Sequence, residues 1–495
     1  MSINTKRSLL LSLFSVLLAG CALVLAQTGT AQKPQPKKNV TLEDAKVYRE
    51  AMIWFKKAEA MIGTSKENSD EQMECFLKAI QIMPDFLEAH YNLGLIYASR
   101  KQMKEATTEF EKVLKIEPKF DPGIYFLLAS AYQESGNSDA AMGALEEGLQ
   151  RKPGDAKMLR ALAYLQFTNR KDTAAIRSLQ QLLEMDPTDV SSRIDLAQLF
   201  QRNNDLEQSI SNYQDALRVD PGNFSAHSNL GVIYLKQKKY AEAAAELESA
   251  NQAKPGDAEV LEKLGDAYSF QRQYSKSATA YKATLERAGD RAAIYAKLGF
   301  SLASMNQAAE AAAALENAVR LDPKNSETLF LLGDLYGELK RPDDAISAYQ
   351  RSLEINPKQK EVHYNLGTLY AEQNRLDDAM VELNTTVQLD PDYYPAWANL
   401  AAVSEKLDRD TEAIKAHEKL VALGKAQSLN YFRLGVLYAK VNQPDPSIAA
   451  FAKAIELEPD KYRAILREEL KKVHSVLDSV RYKEGFARLL NSPGR

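Results

Sequence analysis

The chain has 495 residues, 45% hydrophobic and 26% charged, a balance found in packed soluble protein and not in disordered or collagenous chains. Lysine and arginine number 63 against 67 acids, a net charge of -4, so the basic footprint that neutralises nucleic-acid phosphates is missing. Two cysteines, Cys21 and Cys75, sit in unrelated contexts and build no disulfide framework, which leaves stability to packing.

The first predicted element is an address. Lys6 and Arg7 precede an apolar run from Leu9 to Leu18, broken only by Ser12 and Ser15, which reads as the charged and apolar regions of an export signal. The run ends in Leu18-Ala19-Gly20-Cys21, which resembles the lipobox of bacterial lipoproteins; that resemblance implies lipidation of Cys21. Val24-Leu25-Ala26 before Gln27 also fits cleavage by an ordinary signal peptidase, and Ser8 to Ala26 is nearly long enough to stay as a membrane anchor. All three readings export the body of the protein and assign residues 1–26 to the signal. Residues 27–39 hold Pro34, Pro36 and three lysines but no large apolar side chain, and read as a flexible linker.

A single period organises the rest. Pro84, Pro118, Pro153, Pro187, Pro221 and Pro255, then Pro323, Pro357, Pro391 and Pro459, fall at steps of 34 or 35 residues with two double steps. Gly289 and Gly424 stand near the missing prolines, where a left-handed glycine can end a helix in their place. A leucine followed by a small residue keeps the same register, as in Leu93-Gly94, Leu264-Gly265, Leu332-Gly333 and Leu400-Ala401. A second small residue recurs twelve positions later, as Ala106, Ser277, Ala345 and Ala413. One small position in each of two amphipathic segments lets antiparallel helices approach closely, so each unit is predicted to be a helical hairpin.

At these residues the chain resembles the tetratricopeptide repeat family, with Tyr336, Ala345, Tyr349 and Pro357 marking one full unit. The resemblance covers about residues 53–459. It implies an all-α, right-handed solenoid of about twelve helical hairpins, similar to exported bacterial repeat lipoproteins. Residues 40–86 are expected to hold an N-terminal helix and a degenerate first repeat, because the polar stretch Gly63 to Asp70 interrupts its first helix. The array proper is expected over 87–459, and capping helices over 460–495.

Motifs for chemistry are absent. Gly143 and Gly148 have phosphate-loop spacing, but Leu149-Gln150 follow where Lys and Ser or Thr are required. His417-Glu418 opens a metalloprotease-like string with Val421 in place of the second histidine. His90, His227 and His363 fall at the repeat's aromatic position and read as packing residues, as does Cys75. No catalytic site, metal or cofactor is expected, and the chain reads as a non-enzyme.

Function must then come from a surface. Asn92, Asn229, Asn365 and Asn399, with the isosteric Asp195, occupy the slot before the repeat leucine. They resemble the asparagine ladder of the O-GlcNAc transferase superhelix, in which side-chain amides hold the backbone of an extended peptide. The carboxylate clamp of heat-shock co-chaperones is excluded, because Phe330, Asp334, Pro395 and Asn399 stand where its basic and amide residues are needed. Inward-facing positions of earlier repeats give Lys157, Arg160, Arg202 and Lys236; later ones give Glu259, Glu262, Asp266, Glu327, Asp334, Glu338, Glu361 and Glu372. A groove graded from basic to acidic is the expectation, with Lys or Arg of a bound segment against the later repeats. The leading reading is an envelope scaffold, exported and periplasm-facing, for a partner protein or extended peptide, in envelope, pilus or polysaccharide-export assembly. It touches membrane only through its N-terminus. The competing reading is an accessory subunit of an enzyme complex, for example in glycosyl transfer, with catalysis on another chain.

Overall fold

The computed structural model describes residues 41–472 and 480–491. The export signal, Cys21 and the linker expected in residues 1–39 lie outside the described residues. Among the described residues there are 26 helices and no strand, the all-α architecture that the resemblance implies. No described helix is long and apolar enough to cross a membrane. Two compact units divide between Ile233 and Tyr234. The first holds packed hairpins from Leu42–Glu59 with Asp70–Ile82 through Val190–Arg202 with Leu206–Val219. The second holds them from Ala258–Phe270 with Tyr274–Ala288 through Ser428–Lys440 with Pro444–Leu457. Within each unit the second helix of one hairpin packs on the first helix of the next.

Three local rules make the hairpin. The first is close approach at the small residue after the leucine. A Cβ on Gly265 or Gly333 would lie 2.6 or 2.5 Å from the ring of Tyr281 or Tyr349 on the partner helix, and Gly94 meets Phe110 in the same way. The second small residue is fully buried, as at Ala106 and Ala345, and where it is serine its hydroxyl bonds the facing backbone: Ser277 Oγ donates to the Gly265 carbonyl at 2.9 Å.

The second rule is a left-handed stop after the first helix. Lys101, Arg170, Asn204, Arg272, Asn306, Lys340, Asn374 and Asn442 all take φ between 56° and 62°, and the next amide bonds the carbonyl five residues back, as Arg341 N to Tyr336 O at 2.8 Å. The third is the pre-proline residue. Asp186, Asp322, Asn356 and Asp390 are extended, with φ from -132° to -140°, because a following proline excludes the helical conformation. At the two repeats without proline, Gly289 and Gly424 take φ of 77° and 66° and end their helices in its place.

Both termini depart from the repeat. The first helix runs 18 residues from a Thr41 capping box to Glu59, then polar turns with Gly63 at φ 76° lead to the second helix at Asp70. At the other end Pro459–Lys472 and Val480–Asn491 both pack on Pro444–Leu457. Tyr462 lies 5.2 Å from Phe432 and Phe486 lies 5.6 Å from Phe451, ring centre to ring centre, so the last hairpin's apolar face is covered.

Candidate functional site

In the second unit three slot residues reach back to the preceding repeat. At Lys297, Asn365 and Asn399 the slot residue meets the residue two after the previous repeat's leucine, 31 positions earlier. Asn365 Nδ2 donates to Asp334 Oδ1 at 2.9 Å, and Asn399 Nδ2 donates to Thr368 Oγ1 at 3.0 Å. Lys297 makes the corresponding contact to Asp266 at 2.8 Å. These bonds fix two amides on the first helices of consecutive repeats, and neither amide oxygen accepts a hydrogen bond among the described residues. In the first unit the same slot behaves differently: Asn92 and Asn229 turn back on their own helices and donate to the carbonyls of Glu88 and Ser225, each at 2.7 Å. Asp195 is half-buried and its charge helps hold the Tyr213 hydroxyl, already pushed up by burial, in its neutral form.

Asp334 is the centre of the acidic stretch. Its Oδ1 accepts from the Tyr349 hydroxyl at 2.5 Å as well as from Asn365. Burial pushes its carboxyl above the usual aspartate range; the two hydrogen bonds pull it back and the charge of Glu338 pushes it up again. Glu327, Glu338, Glu361 and Glu372 are exposed, and only Glu361 has a cation in range, Lys360 at 3.9 Å. The other residues of the charge series are largely paired within the chain. Glu262 takes Arg291 at 3.0 Å and Lys297 at 3.1 Å, so its carboxyl, which burial would raise, is held below its ordinary value. Arg160 pairs with Asp189 at 2.8 Å. Arg202 Nε donates to Asp172 at 2.7 Å, and its guanidinium covers the Phe167 ring at 4.3 Å. Lys157, Lys236 and Glu259 are exposed. Each unit thus carries part of the expected charge series, with unpaired acids at Glu259, Glu327, Glu338 and Glu372.

One set of structural residues goes beyond what the register alone reveals. His90 and His363 each bridge two acceptors: Nε2 donates to the carbonyl of the repeat proline, Pro84 or Pro357, at 2.8 or 3.0 Å, and Nδ1 meets Glu109 or Glu382 at 2.5 Å. His227 and Trp397 reach Pro221 and Pro391 in the same way, at 2.9 Å each, and Arg193 reaches Pro187. The histidines at this register therefore tie the turn between repeats to the helix that follows. Burial would lower His363, but its bonds to Glu382 and to the Pro357 carbonyl outweigh that and raise it. The recurring tyrosines bond the second helix of the preceding repeat: Tyr336 donates to Glu316 at 2.8 Å and is pushed up to about 12, by burial first and then by that carboxylate. Cys75 is buried, and no group of three or more His, Cys, Asp or Glu among the described residues is placed to hold a metal.

Comparison with known proteins agrees with the repeat. Family models described as tetratricopeptide repeat match residues 97–165, 194–258, 262–326, 297–360, 338–403 and 430–461, together more than half of the chain. Among solved structures, the C-terminal part of a TPR repeat-containing protein from Cytophaga hutchinsonii is 18% identical over 49% of this chain and 98% of that one, with a TM-score of 0.42. A Pseudomonas aeruginosa structure titled for pilF is 20% identical over 42% and 94%, with a TM-score of 0.36. YrrB, titled a TPR protein with an unusual peptide-binding site, is 20% identical over 37% and 95%, with a TM-score of 0.35. No curated protein matches the chain.

Proposed function

The chain belongs to the tetratricopeptide repeat family, and from that premise we propose that it is a non-catalytic scaffold whose second unit holds an extended, cationic segment of a partner protein along its first helices. The observation that carries this reading is Asp334: a half-buried carboxylate with two neutral donors and no cation, beside the fixed amides of Asn365 and Asn399. An amide offers a donor and an acceptor, as a peptide unit does, so Asn365 and Asn399 suit backbone, while Asp334 and the exposed Glu338 suit an ammonium or guanidinium. We place this activity in a bacterial envelope on the strength of Lys6, Arg7 and the apolar run to Cys21, and the same surface serves an accessory role beside an enzyme on another chain.

The test is titration of the full chain with a labelled lysine–serine peptide. Glu327→Lys, Glu338→Lys and Glu372→Lys together change only exposed side chains and spare Asp334. Circular dichroism should be unchanged and affinity at low salt should fall at least tenfold, with the gap closing as salt rises. Equal affinity of wild type and triple variant at low salt would remove the acidic face as a determinant.

A further inference from the structure

We propose that the first-helix face of the second unit carries, around Phe270 and Phe300 and earlier in the array than Asp334, a docking patch of its own, and that its occupant is an acidic segment of a partner protein carrying an aromatic or large aliphatic side chain. Phe270 is 61% exposed and Phe300 is 47% exposed. The repeat does not require either. Phe270 shares its register with Lys236, Glu338 and Glu372, and Phe300 shares its register with Asp266 and Asp334, all polar. Each ring is nevertheless held in place by a tyrosine opening the second helix of the preceding hairpin. Tyr240 stacks on Phe270 with centres 4.7 Å apart and planes at 18°, and Tyr274 meets Phe300 edge-on at 6.1 Å. Ordered, exposed rings offer apolar area at little entropic cost to a binding event.

The charge around these rings selects the partner. Lys238, Lys239 and Arg272 stand in the two turns, with Lys236 ending the helix before the first and Lys276 in the first turn of the helix after the second; all are exposed, and none forms an ion pair among the described residues. Lys239 and Lys276 instead lie over tyrosine rings, 5.8 Å from Tyr234 and 5.1 Å from Tyr268. The nearby carboxylate in sequence, Glu242, pairs with none of them. Later turns of the same unit neutralise themselves: Arg341 binds Asp344 at 2.7 Å, Arg375 binds Asp378 at 2.7 Å, and Arg409 binds Asp377 at 2.8 Å. The Phe270 edge therefore keeps a surplus of positive charge beside bare aromatic area. A short acidic segment with an apolar anchor satisfies both features. A long polyanion or an anionic bilayer would also meet the exposed Glu327, Glu338 and Glu372 of this unit, which oppose it.

The experiment uses the full chain and a labelled octapeptide of glutamate and phenylalanine. The expected result is saturable binding that weakens at least tenfold in Phe270→Ser/Phe300→Ser, and again in Lys238→Glu/Arg272→Glu, with far-ultraviolet circular dichroism unchanged. The lysine–serine peptide should bind both variants as it binds wild type. The acidic octapeptide should bind the Glu327→Lys/Glu338→Lys/Glu372→Lys variant as it binds wild type, so the two surfaces fail or stand separately. Equal binding of a glutamine-for-glutamate octapeptide, unchanged affinity in the Phe270→Ser/Phe300→Ser variant, or capture of phosphatidylglycerol vesicles or oligothymidylate in place of the peptide would overturn the proposal.

Discussion

Asp266 and Asp334 stand at the same register two repeats apart, each after a glycine that receives a tyrosine ring, and each accepting that tyrosine's hydroxyl, at 2.8 and 2.5 Å. Around Asp266 the chain places Glu262, Lys263, Arg291 and Lys297; the equivalent places around Asp334 hold Phe330, Leu331, Gln359 and Asn365. The first cluster is a closed ion network. Burial would lower the Lys297 ammonium, but bonds to Asp266 and Glu262 hold it above the usual lysine range. The second cluster is an acid without a cation. Backbone and side-chain direction come with the 34-residue unit, whereas four substitutions decide whether the same carboxylate is sealed by its own chain or left for a partner.

Gly333→Leu drives into Tyr349, whose ring already lies 2.5 Å from where a Cβ would sit, and Tyr349 is a donor to Asp334. Overpacking of this kind costs about 1 to 3 kcal/mol. Because repeat stability is carried by nearest neighbours, amide protection should fall first in the hairpins flanking Gly333. Uniform loss along the whole array would contradict that.

The Asp334 carboxyl also makes stability depend on pH. Folding raises the Asp334 carboxyl, so the folded state binds its proton more tightly than the unfolded chain does. The linked stability is whole below the unfolded value of about 4 and is lost as pH rises through the folded value. Asp334→Asn keeps an acceptor for Tyr349 and Asn365 and removes the titration. It should therefore stabilise the second unit at neutral pH by a few tenths to about 1 kcal/mol, with the gain shrinking toward pH 3. Thermal melts across that range check it; a variant less stable than wild type at pH 7 would mean that the fold favours the ionised carboxylate and that its pKa is not raised.

The repeat was legible because close packing demands a small residue in every unit: Gly94, Gly265 and Gly333 face large side chains 16 positions on, within 2.6 Å of where a Cβ would sit, and alanine takes the place at Ala401. The asparagine slot was legible as a register, but not its partner. Asn365 and Asn399 find acceptors in Asp334 and Thr368 of the preceding repeat, whereas Asn92 returns to its own helix, and a single-position pattern cannot distinguish the two. The left-handed stops were hidden by lysine and arginine at Lys101, Arg272 and Lys340. The recurrence of asparagine at 204, 306, 374 and 442 was the available signal. The proline was readable as a helix stop; its carbonyl's second role, as acceptor for His363 and Trp397, depends on packing across a turn and leaves no mark on the proline itself.

The most direct test of the account asks whether the partner's cation and Lys297 are chemical equivalents. Calorimetric titration of the full chain with the lysine–serine peptide at low salt should compare wild type with Asn365→Lys, which copies the Lys297 arrangement into the Asp334 site. If Asp334 is the cation acceptor, the internal ammonium occupies it and affinity falls at least tenfold, about 1.4 kcal/mol. Undiminished affinity in Asn365→Lys would contradict the assignment of Asp334 as the place where a partner's charge is held.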